Sequence, residues 1–171
     1  MNAEQLRQLQ QPLKDKYRDD PAAALITLRA EGRIGEGVTC SVETGRALVQ
    51  AGLHPATGGT GFAACSGDML LQALVACAGV TLSAVATALG IELRAGQLTA
   101  EGDLDFRGTL GVDKETAVGF KAVRLRIAVE SNAAPQDLDR LLRLTERYCV
   151  VYQTLRNKPE LNVSLEREAG K

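Results

Sequence analysis

The sequence predicts a single α+β domain, and three observations predict it. Short β-rich segments of alternating polarity fill residues 24–50 and 92–129, a long uncharged helical run separates them, and two more helical segments with a last β-rich stretch follow. The order reads β–β–(β)–α–β–β–α–α–β, with strands and helices segregated rather than alternating in the βαβ manner. A chain of 171 residues suits one domain and buries roughly two-thirds of its unfolded surface, enough for a core without disulfides or a structural metal.

Residues 1–20 are expected to form a separate amphipathic arm. Leu6, Leu9, Leu13 and Tyr17 fall at offsets of three and four, interrupted by Pro12. So short a helix is marginal alone in water, so it should pack on its own domain or on a partner subunit. The domain proper is expected over 21–171. Its first part reads as an antiparallel meander. ALITLRAEG puts Leu25, Thr27 and Arg29 on one face and Ile26 and Leu28 on the other; VTCSVET follows Gly35 and Gly37, and RALVQ follows Thr44 and Gly45.

Gly52–Gly67 is a glycine-rich loop feeding the central helix. Its GGTG element is neither a P-loop nor a dinucleotide fingerprint, so the loop is read as placing the helix rather than holding a phosphate. The 23 residues Met69–Ile91 carry no charge. They could span a bilayer, yet Gln72, Thr81, Ser83 and Thr87 interrupt them and no Trp, Tyr or Lys/Arg cluster flanks them, so they are read as a core helix. Ser66 is the expected N-cap, Asp68 suits the positive N-terminus, and Gly90 suits the left-handed exit. Ala73, Ala76, Gly79, Ala84 and Ala88 would let other backbones approach.

Two longer strands are expected next, one within 92–107 that alternates best over Leu98–Phe106, and one at 118–129. The second puts Phe120, Ala122, Arg124 and Arg126 on one face and Lys121, Val123, Leu125 and Ile127 on the other. Pro135 opens a helix with an apolar stripe of Leu138, Leu141, Leu142 and Thr145. CVVYQTLRN continues as a helix that ends before Pro159, and ELNVSLE reads as a last strand.

Composition removes several function classes. A formal charge of −1, scattered basic residues and six aromatics without Trp argue against a nucleic-acid binder. The polar first 20 residues show no leader pattern, so a cytoplasmic protein with reduced thiols is expected. The one histidine, His54, stands near no cysteine pair and reads as a loop residue, so no metal or cofactor is expected. Without a G-x-S-x-G elbow or a histidine base, the four cysteines are the remaining chemistry. Cys40 reads as strand packing, Cys65 precedes the central helix, Cys77 lies within it, and Cys149 falls where a fresh helix N-terminus is expected. Taken by itself, each reads as a small buried thiol.

Three stretches together resemble the OsmC/Ohr superfamily of thiol-dependent peroxide-handling proteins, in its OsmC-like branch. They are GGTG at Gly58–Gly61, the helix Asp68–Gly90 with Cys77 in LLQALVACAGVTL, and RYCVVYQTL with Cys149. The resemblance covers about residues 24–167. It implies curved antiparallel sheets wrapped around two central helices in an intertwined homodimer, with sites at the subunit interface. It also implies that Cys77 is the peroxidatic cysteine and Cys149 the resolving one, with a small hydroperoxide as substrate and an external dithiol as reductant. Peroxidase members pair the cysteine with an arginine and a glutamate. Here Leu53–Phe62 holds no arginine, so Arg29, Arg33 and Arg46 are the candidate cations and Asp68, nine residues before Cys77, the candidate acid. The departure keeps a second expectation open, a non-catalytic dimer of the same fold that binds a small apolar ligand or has a structural, stress-related role.

Overall fold

The computed structural model describes residues 49–111 and 113–167, the backbone of 32–34, 39–43 and 48, and residues 2–5, 7, 8, 11 and 19 nearer the start. The arm's apolar positions Leu6, Leu9, Leu13 and Tyr17, and the segment 24–31, lie outside the described residues. At the start, Asn2 and Gln5 cap each other: the Asn2 N–H donates to Gln5 Oε1 at 3.0 Å and the Gln5 N–H to Asn2 Oδ1 at 2.9 Å.

Strands β1 (Gly32–Ile34), β2 (Thr39–Glu43) and β3 (Leu48–Gly52) form an antiparallel meander, with Cys40 opposite both Ile34 and Ala51; β2 and β3 fall in the expected VTCSVET and RALVQ, whereas β1 lies after the expected ALITLRA. A fourth strand, β4 (Ala64–Cys65), joins β3 in parallel through Ala51–Ala64 and Gly52–Cys65. The glycine-rich loop between them is folded. His54 Nδ1 accepts from the Ala56 N–H at 3.0 Å, capping a 3-10 turn at Pro55–Thr57, and its ring stacks on Phe106 at 5.1 Å. Gly59 is required here because a Cβ would stand 1.7 Å from the Leu53 carbonyl oxygen.

The central helix α1 (Ser66–Leu89) follows directly. Ser66 is its first helical residue rather than its cap; Cys65 holds the cap position, because its backbone is still committed to β4. Gly90 closes the helix at φ 70°, as expected. The hydroxyls of Thr81, Ser83 and Thr87 donate to the carbonyls four residues back at 2.8, 3.0 and 2.8 Å, so the uncharged run leaves no strained demand for polar partners. Only one stripe is covered within the chain: Leu74, Ala78, Leu82 and Ala86 are buried, whereas Ala73, Ala76, Val80 and Ser83 are exposed, Val80 to 73%. By length and composition α1 is the one helix among the described residues that could cross a membrane.

Strands β5 (Ala95–Asp103) and β6 (Ala122–Glu130) make an antiparallel hairpin that covers the buried stripe. Leu98 pairs with Ile127 and Ala100 with Leu125, and all four pack inward with Val129. The alternate positions carry ion pairs: Arg124 bridges Asp103 and, at 3.5 Å, Glu101, which also meets Arg126 at 3.6 Å. The expected faces of β6 are those observed. A short helix α2 (Phe106–Thr109) in the connection is capped by Asp105, whose Oδ2 also meets Arg107 and Lys121 at 2.7 Å each.

Helix α3 (Pro135–Tyr148) packs Leu141 against Leu82 and Ala86 of α1. Leu142, expected in the same stripe, is 46% exposed because it falls a hundred degrees around the helix from Leu141. Helix α4 (Val150–Arg156) starts one residue after α3 ends, so Cys149 closes one helix and opens the next. The last expected strand is not formed. Residues 158–167 have no regular structure, and Leu161, Val163 and Leu165 are almost fully exposed, because a strand needs a hydrogen-bonding neighbour and the described residues offer none there.

Candidate active site

Three elements converge where α1 crosses the α3–α4 junction. Leu74, Ala78 and Cys149 form a buried cluster, and Cys77, Leu98, Ala100, Leu125, Val151 and Tyr152 pack against it. The local sequence accounts for the convergence. Leu74 and Ala78 lie one turn apart on the covered stripe and carry Cys77 at its margin. The sharp turn between α3 and α4 drives Cys149 inward, to 1% exposure. Both thiols are free.

The two thiols have opposite electrostatic settings. Burial pushes Cys77 up, but the Val151 N–H, the Cys149 thiol, the Val150 N–H and the Thr81 hydroxyl, each able to bond the ionised sulfur, together leave its pKa below the ordinary value. The Cys149 pKa is raised, first by burial and then by Cys77 itself; the Tyr152 and Val151 N–H groups offset this only in part. The arrangement therefore favours a thiolate at Cys77 with a protonated Cys149 beside it. A thiolate is the reactive form of cysteine, and a neighbouring thiol is what turns an oxidised cysteine into a disulfide.

The structure brings Cys77 and Cys149 together and leaves Asp68 apart. Nine residues along a helix correspond to half a turn out of phase and about 13 Å of rise. Asp68 accordingly lies in the first turn of α1, where it lines an open groove with Leu71, Gln72, Val75, Ala76 and Ala100. Cys65 caps α1, far from the pair. The side chains of Cys40 and Arg33, and all of Arg29 and Arg46, lie outside the described residues. What sequence reasoning missed is the set of neutral donors. Val150 and Val151 begin α4 directly after Cys149, and Thr81 stands four residues beyond Cys77; both spacings were visible, but only the crossing of α1 with the α3–α4 junction gives the first a meaning.

The sequence model of one family, described as OsmC-like protein, matches residues 58–164, which include both cysteines. The chain belongs to the OsmC family. Solved structures agree on the OsmC fold. The OsmC-like protein of Mycoplasma pneumoniae is 16% identical, with 78% of this chain and 89% of that one covered and a TM-score of 0.64. An organic hydroperoxide resistance protein from Elizabethkingia anophelis is 16% identical over 78% and 91% of the two chains, with a TM-score of 0.63. A Legionella pneumophila structure described as an organic hydroperoxide resistance protein OsmC is 19% identical, with the same coverage and a TM-score of 0.61. No curated protein matches the sequence significantly. Membership in the OsmC family makes α1 the core helix of a known α+β fold.

Proposed function

We propose that this OsmC-family protein is a thiol peroxidase that reduces organic hydroperoxides, with Cys77 as nucleophile and Cys149 as resolving thiol. The Cys77 thiolate attacks the terminal oxygen of R–O–O–H, the O–O bond breaks, and the departing alkoxide takes up a proton to leave as alcohol. Cys77 is then a sulfenic acid. The Cys149 sulfur displaces its hydroxyl group as water, forming a disulfide. An external dithiol reduces that bond by two exchange steps and is itself oxidised to a disulfide. The observation that carries the reading is the unequal pair, a lowered thiol packed against a raised one.

A homodimer belongs to the same proposal. Its support is the exposed stripe of α1 through Ala76 and Val80, and the alternating Leu161, Val163 and Leu165 with no strand to join among the described residues. A second copy would cover the first and pair the second. In this reading Asp68, on the far side of α1 from its own Cys77, acts only toward the partner copy, and residues 1–20 remain an arm outside the domain 21–171. A cytoplasmic setting, where dithiol pools reduce disulfides, completes it.

The test is intact-mass analysis with peptide mapping after sub-stoichiometric cumene hydroperoxide is added to reduced protein. A loss of two hydrogens that maps to a Cys77–Cys149 disulfide is expected. An unchanged mass with both thiols free would overturn the proposal in favour of a non-catalytic ligand-binding dimer.

A further inference from the structure

Thr81 sits one helical turn beyond Cys77, and its hydroxyl donates to the Cys77 carbonyl oxygen at 2.8 Å. Ser83 and Thr87 make the same bond on water-exposed parts of α1, where it satisfies a hydroxyl and nothing more. Thr81 makes it half-buried, at the margin of the cluster that holds both thiols. Residues four apart share one side of a helix, so the same hydroxyl is also a neighbour of the Cys77 side chain.

A hydroxyl has one proton and two lone pairs and rotates freely about its C–O bond. While Cys77 is a thiol, the Thr81 proton rests on the carbonyl and a lone pair is available to the S–H. Once the sulfur is ionised, it becomes the stronger acceptor, and a charge-assisted bond outcompetes a neutral one. The carbonyl is not orphaned by the change, since the Thr81 backbone N–H bonds it in the helical ladder. We propose that Thr81 is a positioning residue for Cys77, a hydroxyl that turns from the Cys77 carbonyl to the Cys77 sulfur as the thiolate forms.

The surroundings make one neutral donor count. From α4 the sulfur meets the Val150 and Val151 N–H groups and the titratable Cys149, with Tyr152 packed on the same cluster. From β5 and β6, Leu98, Ala100 and Leu125 pack against the same cluster as Cys77. Of the charged residues of that hairpin, half-buried Glu101 and exposed Asp103, Arg124 and Arg126 pair with one another, and Glu130 lies exposed at its far end opposite Ala95. Asp68 lies on the other side of α1. In such a setting the number of donors aimed at the sulfur sets how readily it ionises.

This inference rests on Cys77 being the ionising thiol of the proposed reaction, and its test is read without peroxide. The rate of iodoacetamide alkylation at Cys77, followed by peptide mapping between pH 5 and 10, gives its titration midpoint. Thr81→Val keeps the shape and removes the donor; Thr81→Ala removes it with no branched side chain to misfit, should the valine disturb the helix. Both should raise the midpoint by about one unit, a tenfold loss of thiolate well below it, and Thr81→Ser should restore the parent profile. Midpoints unchanged in both variants, or a shift that serine fails to reverse, would overturn the assignment. Failure of peroxide turnover with the expected alkylation shifts would instead sink the peroxidase reading and leave Thr81 in its role.

Discussion

Cys77 and Cys149 pack in one cluster, yet their pKa values are moved in opposite directions. Burial acts to raise both, and what separates them is the supply of donors. The ionised Cys77 can draw on two N–H groups from the start of α4, a hydroxyl from its own helix and the thiol of Cys149. Cys149 receives N–H groups from Tyr152 and Val151 but also faces Cys77, whose charge holds its proton on. The asymmetry gives each sulfur its place in the proposed sequence of steps: the one that ionises first attacks, and the one that keeps its proton waits.

Replacing each cysteine in turn should separate those steps. Cys77→Ser should reduce hydroperoxide turnover to background, measured by loss of peroxide with dithiothreitol as reductant. Cys149→Ser should leave a Cys77 sulfenic acid that dimedone traps, seen as a mass adduct on the Cys77 peptide. Normal turnover by the Cys77 variant would end the assignment.

The opposite shifts also predict a pH pattern. A lowered Cys77 binds fewer protons folded than unfolded, so its stabilising contribution is complete above the ordinary value of 9.0 and is lost as pH falls through its folded pKa. A raised Cys149 contributes in the reverse sense: fully below 9.0, and lost as pH rises through its folded pKa. The two slopes oppose each other, so chemical labelling is the sharper readout. Cys77 should alkylate with a midpoint below 9.0 and Cys149 only above it; coincident midpoints would contradict the pair's asymmetry.

Leu141 joins α3 to α1 at 2% exposure against Leu82 and Ala86. Leu141→Ala should lower unfolding stability by about 2–5 kcal/mol, since removal of a buried side chain leaves a cavity that helices close only in part. Leu142→Ala, on the exposed side of the same helix, should fall within about 0.5 kcal/mol of the parent. Denaturant midpoints of the two variants make the comparison.

The assembly can be weighed directly. Light scattering after size exclusion should return twice the 18.2 kDa of the chain. Val80→Asp, placed on the uncovered stripe of α1, should shift it toward one copy, because a charge buried without a partner is costly. A single-copy mass for the parent protein would remove the dimer from the proposal.

Much of this protein was legible in its sequence, for local reasons. Two-residue alternation gave β6 its correct faces, the uncharged run with Gly90 gave α1 and its end, and Pro135 marked the start of α3, because strand pleat, left-handed exits and proline act over a few residues. The resemblance carried by GGTG, LLQALVACAGVTL and RYCVVYQTL pointed to the right family. Other features were beyond a local reading. Ser66 looked like a cap until β4 claimed the residue before it; ELNVSLE looked like a strand, but pairing depends on a neighbour no segment specifies by itself. The neutral donors at Cys77 are the clearest case. Sequence by itself determined that one cysteine lies within a helix and the other just before one, in a fixed order. Only the tertiary structure decided that the second helix would begin with its N–H groups at the first cysteine, because hydrogen bonds act across a few ångströms of space while these residues lie more than seventy positions apart in the chain.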